Sequence, residues 1–438
     1  MQIDKTTFDD LSIFSAEAEF SIFQKFDFTQ TFGGRQWLKY LFNNPFSDLK
    51  HIIETQRITA IFQRAESKWP AAISNGTIMV MERFYETAID NLPDGRDVVN
   101  AFFYKLFHGP DYAITRYSLS HFADFIRGMQ AIILLFDNDE APALLRSNLQ
   151  RAKSLLNQEI ILSMGETDPK ANFSNRQVVY YGNFIRNRYK SAALELIDIY
   201  GRLDAWKSMA AANKHYHLAT PAFVEQADPL LEANQLFHIL LPTPVAYDVN
   251  MKKHSNFVFL TGANMAGKST FIKAVGIAVY LAHLGVGVPA SAMKLSLFDG
   301  VLSNINVVDN ISKGESYFFN EVKRIKDTIL KINDHRKWLV LIDELFKGTN
   351  VLDAMKCSSA VIRGLIKIQN SLFILSTHLY EIGEELKDYP NISFKYFETA
   401  VTGDQLDFSY QLKEGISNDR LGYLILKREK VVELLDNL

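Results

Sequence analysis

The feature that most restricts the fold is a ten-residue run, Thr261 to Thr270, which reads T-G-A-N-M-A-G-K-S-T and directly follows the apolar Phe257-Val258-Phe259-Leu260. It carries G-x-x-x-x-G-K-[ST], with Gly262, Gly267, Lys268 and Ser269 in register. A loop of this kind wraps a polyphosphate with its backbone N–H groups turned inward, and glycine permits the close approach. The helix that follows adds its positive end, Lys268 reaches the β- and γ-phosphates, and Ser269 ligates Mg²⁺. Gly262, Ala263, Asn264, Met265, Ala266, Gly267, Lys268, Ser269 and Thr270 together form the candidate nucleotide cradle. A strand precedes it and an amphipathic helix runs on to about Leu284, which favours this reading over a glycine-rich turn without a ligand.

Two further strand ends supply chemistry. Trp338-Leu339-Val340-Leu341-Ile342 ends in Asp343-Glu344, a buried strand with its acids at the carboxyl edge, where an open α/β sheet places its ligand. There Asp343 holds Mg²⁺ through water and Glu344 polarises the attacking water; a surface turn is the plain alternative. Leu372 to Leu375 ends in Ser376-Thr377-His378. His378 can donate to the γ-phosphate or the attacking water, although a lone histidine at such a place is more often structural.

With 438 residues the chain has room for two or three domains. Hydrophobic residues at 47% and charged residues at 22% exclude intrinsic disorder, a collagen-like repeat and a disulfide scaffold. A net charge of -3 leaves no global basic field, so contact with DNA has to be local or lent by a partner. The single cysteine, Cys357, cannot form an internal disulfide and suits a reducing compartment. The N-terminus lacks the apolar stretch of a secretory signal, and the run Ala274 to Val288 falls short of a membrane span. A cytoplasmic protein with no membrane contact is expected.

The expected architecture is α plus α/β. Residues 1–225 form an all-α unit, and residues 226–438 form an α/β unit in which short apolar runs alternate with helices. In the first unit, Leu145, Leu149, Ala152, Leu155 and Leu156 make one helical stripe. A second runs without proline from Arg176 to Ala212, a rod of roughly 50 Å. The polar segment Ser163 to Asn175 reads as the turn at the tip of this helical hairpin. Beside it lies a basic stretch with interleaved aromatics: Arg176, Arg186, Arg188 and Lys190 are candidates for nonspecific phosphate contact, the alternative being a solvated helix face.

These motifs resemble the MutS family of DNA mismatch-repair ATPases. The loop is close to that family's T-G-x-N-M-x-G-K-S-T. Asp309 to Glu321, D-N-I-S-K-G-E-S-Y-F-F-N-E, is similar to its D-D-L-A-S-G-R-S-T-F-M-x-E; D-E-L-F-K-G-T-N to D-E-I-G-R-G-T-S; and S-T-H-L-Y-E to A-T-H-Y-F-E. Asp228-Pro229 to Glu232 resembles R-H-P-x-x-E ahead of the ATPase domain, and Gly33 to Pro45 the opening of the helical core. The family's mismatch-recognition and connector domains do not fit before Gly33, nor its clamp in Ser163 to Asn175. A form with only the helical lever domain and the ABC-type P-loop ATPase domain is therefore expected.

The resemblance implies an ATP- and Mg²⁺-dependent switch that works as a homodimer, or as a heterodimer with another MutS-type chain, in mismatch repair or a related process. Ser312, Gly314 and Ser316 would face the nucleotide bound by the partner, and the piece after Gly415 would serve dimerisation. An aromatic residue stacks on adenine in the family, and Tyr247 is the candidate here. Double-stranded DNA, mismatched or branched, is the implied ligand of the assembly. Two alternatives stay open: a nucleotide-gated scaffold that recruits partners without reading DNA, and a P-loop kinase, which the Asp-Glu strand end disfavours.

Overall fold

The structure is a computed structural model that describes residues 1–94, 97–168, 173–306, 317–402, 405–417 and 430–436. In chain order its elements are β1 (Gln2–Ile3), α1 (Lys5–Asp10), α2 (Ile22–Phe26), α3 (Phe32–Asn43), α4 (Leu49–Arg64), α5 (Asn75–Glu86), α6 (Val98–Phe107), α7 (Gly109–Phe136), α8 (Ala143–Leu156), α9 (Glu159–Glu166), α10 (Asn175–Arg188) and α11 (Lys190–His215). There follow β2 (Ala222–Val224), β3 (Leu230–Leu236), β4 (Tyr247–Lys252), β5 (Phe257–Thr261), α12 (Lys268–His283), β6 (Ala292–Ser296), β7 (Gly300–Asn304) and α13 (Tyr317–Ile332). The chain continues through β8 (Trp338–Asp343), α14 (Val351–Leu365), β9 (Leu372–Ser376), α15 (Tyr380–Glu385), β10 (Ile392–Thr402), β11 (Gln405–Glu414) and α16 (Val431–Asp436).

These elements form two compact units. One comprises Met1–Lys25, Asn44–Ile52 and His215–Leu438, the other Phe26–Asn43 and Ile53–Lys214. The first unit holds both sheets. Its larger sheet has the order β1-β7-β8-β9-β5-β10-β11, with every neighbouring pair parallel except β10 and β11. β5, β8 and β9 are buried along their whole length, as central parallel strands covered on both faces must be. Phe257, Phe259, Trp338, Val340, Phe373 and Leu375 form the middle of one core cluster, against which Cys357 packs from α14. A second sheet, β2-β6-β3-β4, is mixed.

The division differs from a single boundary at residue 225. Gln2 and Ile3 pair in parallel with Gly300 and Val301, so the first residues complete the edge of the larger sheet. The N-terminal amine donates to Pro45 O at 2.8 Å, and Phe46 N–H donates to His283 O at 2.9 Å. Backbone pairing, not apolar periodicity, ties these segments to the sheet-bearing unit. A two-residue strand carries no period to detect.

The second unit is helical among its described residues. α7, with α5, α8, α9 and α10 packed around it, has the length and apolarity of a membrane-crossing helix, but 56% of its most apolar window is buried inside the protein. The uninterrupted rod expected from Arg176 to Ala212 is broken at Tyr189. Its N–H reaches back to Phe184 O, and its buried ring turns inward to donate a hydroxyl to Leu155 O at 2.8 Å. The expected turn also begins too early: Ser163 to Glu166 continue α9, and residues 169–172 lie outside the described residues. A buried carboxylate that sequence patterns do not reveal, Asp204 of α11, accepts the N–H groups of Gln30 and Thr31 and the Thr31 hydroxyl, capping α3.

Candidate functional site

The cradle lies where β5 ends and α12 begins. Gly262 and Gly267 have φ of +135° and +105°. A Cβ on Gly262 would stand 3.2 Å from Phe397 O, so both the conformation and the space call for glycine there. Register places the chemistry level across three strands: Leu260 opposes Ser376, and Ser376 opposes Asp343. Asp343 accepts the Ser269 hydroxyl on one carboxylate oxygen and the Ser376 hydroxyl on the other. Lys268 is buried, and its Nζ donates to the carbonyls of Gly262 at 2.8 Å and Ala263 at 3.0 Å. Burial pulls the Lys268 pKa down, while Glu344 and Asp343 push it up.

Glu344 follows Asp343 with φ of +60° and donates its N–H to Ser376 O. Its carboxylate stands 3.7 Å from His378 Nδ1 and 3.2 Å from Lys347 Nζ. The nearby His378 ring, opposed by burial and helped by the charges of Lys347 and Lys268, holds its pKa at about 2. Glu344 is thus ionised at neutral pH, an acceptor that can orient water more readily than it can keep a proton. Met265, Phe346 and Tyr410 share its left-handed backbone, so four of the nine such non-glycine residues in the described chain fall around this one site. Strained backbone of this kind concentrates where function over-determines the geometry.

A cavity of about 670 Å³ opens above the cradle, lined by Leu241, Val245, Tyr247, the loop, Glu344 and Tyr410 among others. Tyr247, 6% exposed, lines this cavity with its ring clustered against Phe271 and Phe397. Tyr410 is 40% exposed, and its ring comes within 3.4 Å of where a Cβ on Gly267 would stand. Nothing local in the sequence marks Tyr410, because it reaches the loop only through the pairing of β11 with β10 and of β10 with β5. Glu321, known from the sequence only as the end of a motif, is buried on α13 and accepts the N–H groups of Lys347 and Gly348 behind Glu344. Burial pushes its pKa up, against those two bonds.

The other candidates separate. Arg186 donates to the carbonyls of Phe84 and Thr87 at the end of α5 and lies over the Phe84 ring. Arg176, Arg188 and Lys190 are exposed. Ser312, Gly314 and Ser316 lie outside the described residues, as do residues 418–429 of the C-terminal piece.

The fold and the site define a class: α/β proteins with a glycine cradle at a helix N-terminus, opposed by carboxylates at the end of a neighbouring strand. Within it, residues 258–433 match the family model MutS domain V. The chain is 25% identical over 292 residues to the DNA mismatch repair protein MutS of Petrotoga mobilis, covering 64% of this chain and 36% of that protein. It is 29% identical over 248 residues to that of Thermotoga maritima, covering 55% and 30%. With the DNA mismatch repair protein spellchecker 1 of Drosophila melanogaster it shares 31% over 184 residues, covering 42% and 20%. The chain spans about a third of the length of the bacterial relatives.

Proposed function

We propose that the chain binds and hydrolyses ATP with Mg²⁺ and acts as a nucleotide-switched dimer in DNA mismatch repair or a related DNA transaction. The observation that carries this reading is the seating of Asp343 between Ser269 and Ser376, with Glu344 beside it and the Gly262–Thr270 loop across from it. Ser269 Oγ and the Asp343 carboxylate are hard oxygen donors in contact, the set that Mg²⁺ takes; bound there, the ion neutralises phosphate charge. Backbone N–H groups and the α12 N-terminus hold the phosphates. Lys268 exchanges its loop carbonyls for phosphate oxygens. Glu344 orients the attacking water, and His378 and Lys347 keep it ionised. Leu241, Val245 and the Tyr410 ring enclose the base. Completion of the site by Ser312, Gly314 and Ser316 of a second chain would make turnover depend on assembly.

Steady-state ATP turnover of the wild type against Glu344→Gln tests the reading. We expect a loss of about 100-fold or more in kcat with ATP binding retained. Equal, negligible rates in both would leave a nucleotide-gated scaffold in its place.

A further inference from the structure

The sequence-distant N-terminal segment meets the larger sheet at the end of β7. Ser303 and Asn304 point to opposite faces of the sheet, as adjacent strand residues do. Helix α1 holds Ser303 from one face: its N–H donates to Thr7 Oγ1 at 2.9 Å and its hydroxyl to Asp10 Oδ2 at 2.5 Å. Helix α13 holds Asn304 from the other, with Arg324 Nε donating to Asn304 Oδ1 at 2.6 Å and Asn304 Nδ2 donating to Thr328 Oγ1 at 3.2 Å. Asp10 is 1% exposed and also accepts the N–H groups of Ile305 and Asn306, each at 3.0 Å. Asp4, which caps α1 through Thr7, pairs with Arg324 at 2.8 and 3.2 Å and with Lys331 at 3.1 Å, so the two helices are locked across the sheet edge.

This lattice leads to Glu344 by two short routes. Asn304 lies opposite Ile342, one residue before Asp343. On α13, Glu321 sits one turn before Arg324 and holds the turn at Lys347 and Gly348. Buried charge is a costly way to gain stability, since apolar side chains of like volume often do as well. What ionic bonds with fixed directions supply is angle and register.

We propose that Asp10 and the Asp4–Arg324 pair are positioning residues for hydrolysis: they set the β7 end and α13, and through Glu321 the turn that carries Glu344. The proposal rests on Glu344 as the water-orienting group. Its test uses the full chain as wild type, Asp10→Asn, Ser303→Ala and Arg324→Lys. Equilibrium binding of a fluorescent ATP analogue, kcat, KM and thermal unfolding are measured for each. Asp10→Asn is isosteric but turns an N–H toward backbone donors. It should lower kcat by about 10-fold or more while KM and analogue binding stay within about threefold. Ser303→Ala and Arg324→Lys should show the same split to a smaller degree, and they carry the test if Asp10→Asn does not fold. Unchanged kcat in the folded variants, or kcat and binding falling in parallel, overturns the proposal alone. A wild type that binds the analogue without turnover overturns the reading of Glu344 and the proposal with it.

Discussion

His283 closes α12 fully buried, with Nδ1 3.0 Å from Phe46 O and Nε2 3.3 Å from Phe298 N. The neutral ring donates at the first nitrogen and accepts at the second, which the imidazolium cannot do. Burial holds its pKa at about 4, against an ordinary 6.5 and against the Phe46 hydrogen bond. The folded-state value is depressed, so the neutral ring contributes fully above about pH 6.5 and loses that contribution as the pH falls toward about 4. Denaturant unfolding across that window should show the wild type losing at most about 1.4 kcal/mol per pH unit from this group, a slope missing from His283→Gln. His238, also held at about 4 by burial, is common to both chains and cancels in the comparison. None of this is visible in the sequence, where His283 is one polar letter in an apolar run. Legibility followed locality. Gly262, Lys268, Asp343 and Glu344 stand at the ends of apolar strands and can be read from their own neighbours. Tyr410, Glu321 and Asp10 act on backbone far away in the chain, and no local pattern ties them to it.

Among the helices, α10 and the first residue of α11 carry basic residues of two kinds. Arg186 satisfies the last carbonyls of α5, where helix ends leave acceptors open. Arg186→Ala should lower the unfolding temperature, at a cost of about 1–2 kcal/mol for the stranded carbonyls. Arg176, Arg188 and Lys190 are exposed, Lys190 with its ammonium over the Tyr85 ring, so replacement of Arg176 or Arg188 by Ala should leave thermal unfolding unchanged. If this face meets nucleic acid phosphates, each loss reduces the slope of log K against log salt by about 1, measurable by fluorescence anisotropy on duplex DNA. The four residues look alike in a sequence scan because charge is visible there and hydrogen-bond destination is not. Tyr189 evaded the pattern for a related reason. Its apolar character fits a continuous helix stripe, and only its hydroxyl bond to Leu155 O shows why the backbone turns aside.

For the molecule as a whole, if a second chain completes the site as proposed, turnover per chain rises with protein concentration until the dimer forms. Dilution series of ATP turnover, run beside light scattering, should show specific activity and dimer fraction falling together; activity constant through dissociation would separate hydrolysis from assembly. The α-then-α/β order was readable because periodicity changes from helical to strand-like near residue 225, whereas pairing of Gln2 and Ile3 with Gly300 and Val301 leaves no such trace. That pairing has a consequence for biosynthesis. Chains emerge from the ribosome N-terminus first, and domains tend to fold as units while they do so. Here Gln2 and Ile3 leave the exit tunnel long before Gly300 exists, so the helical unit can condense while they wait, and residues made well ahead of their partner strand take their seat only once it arrives.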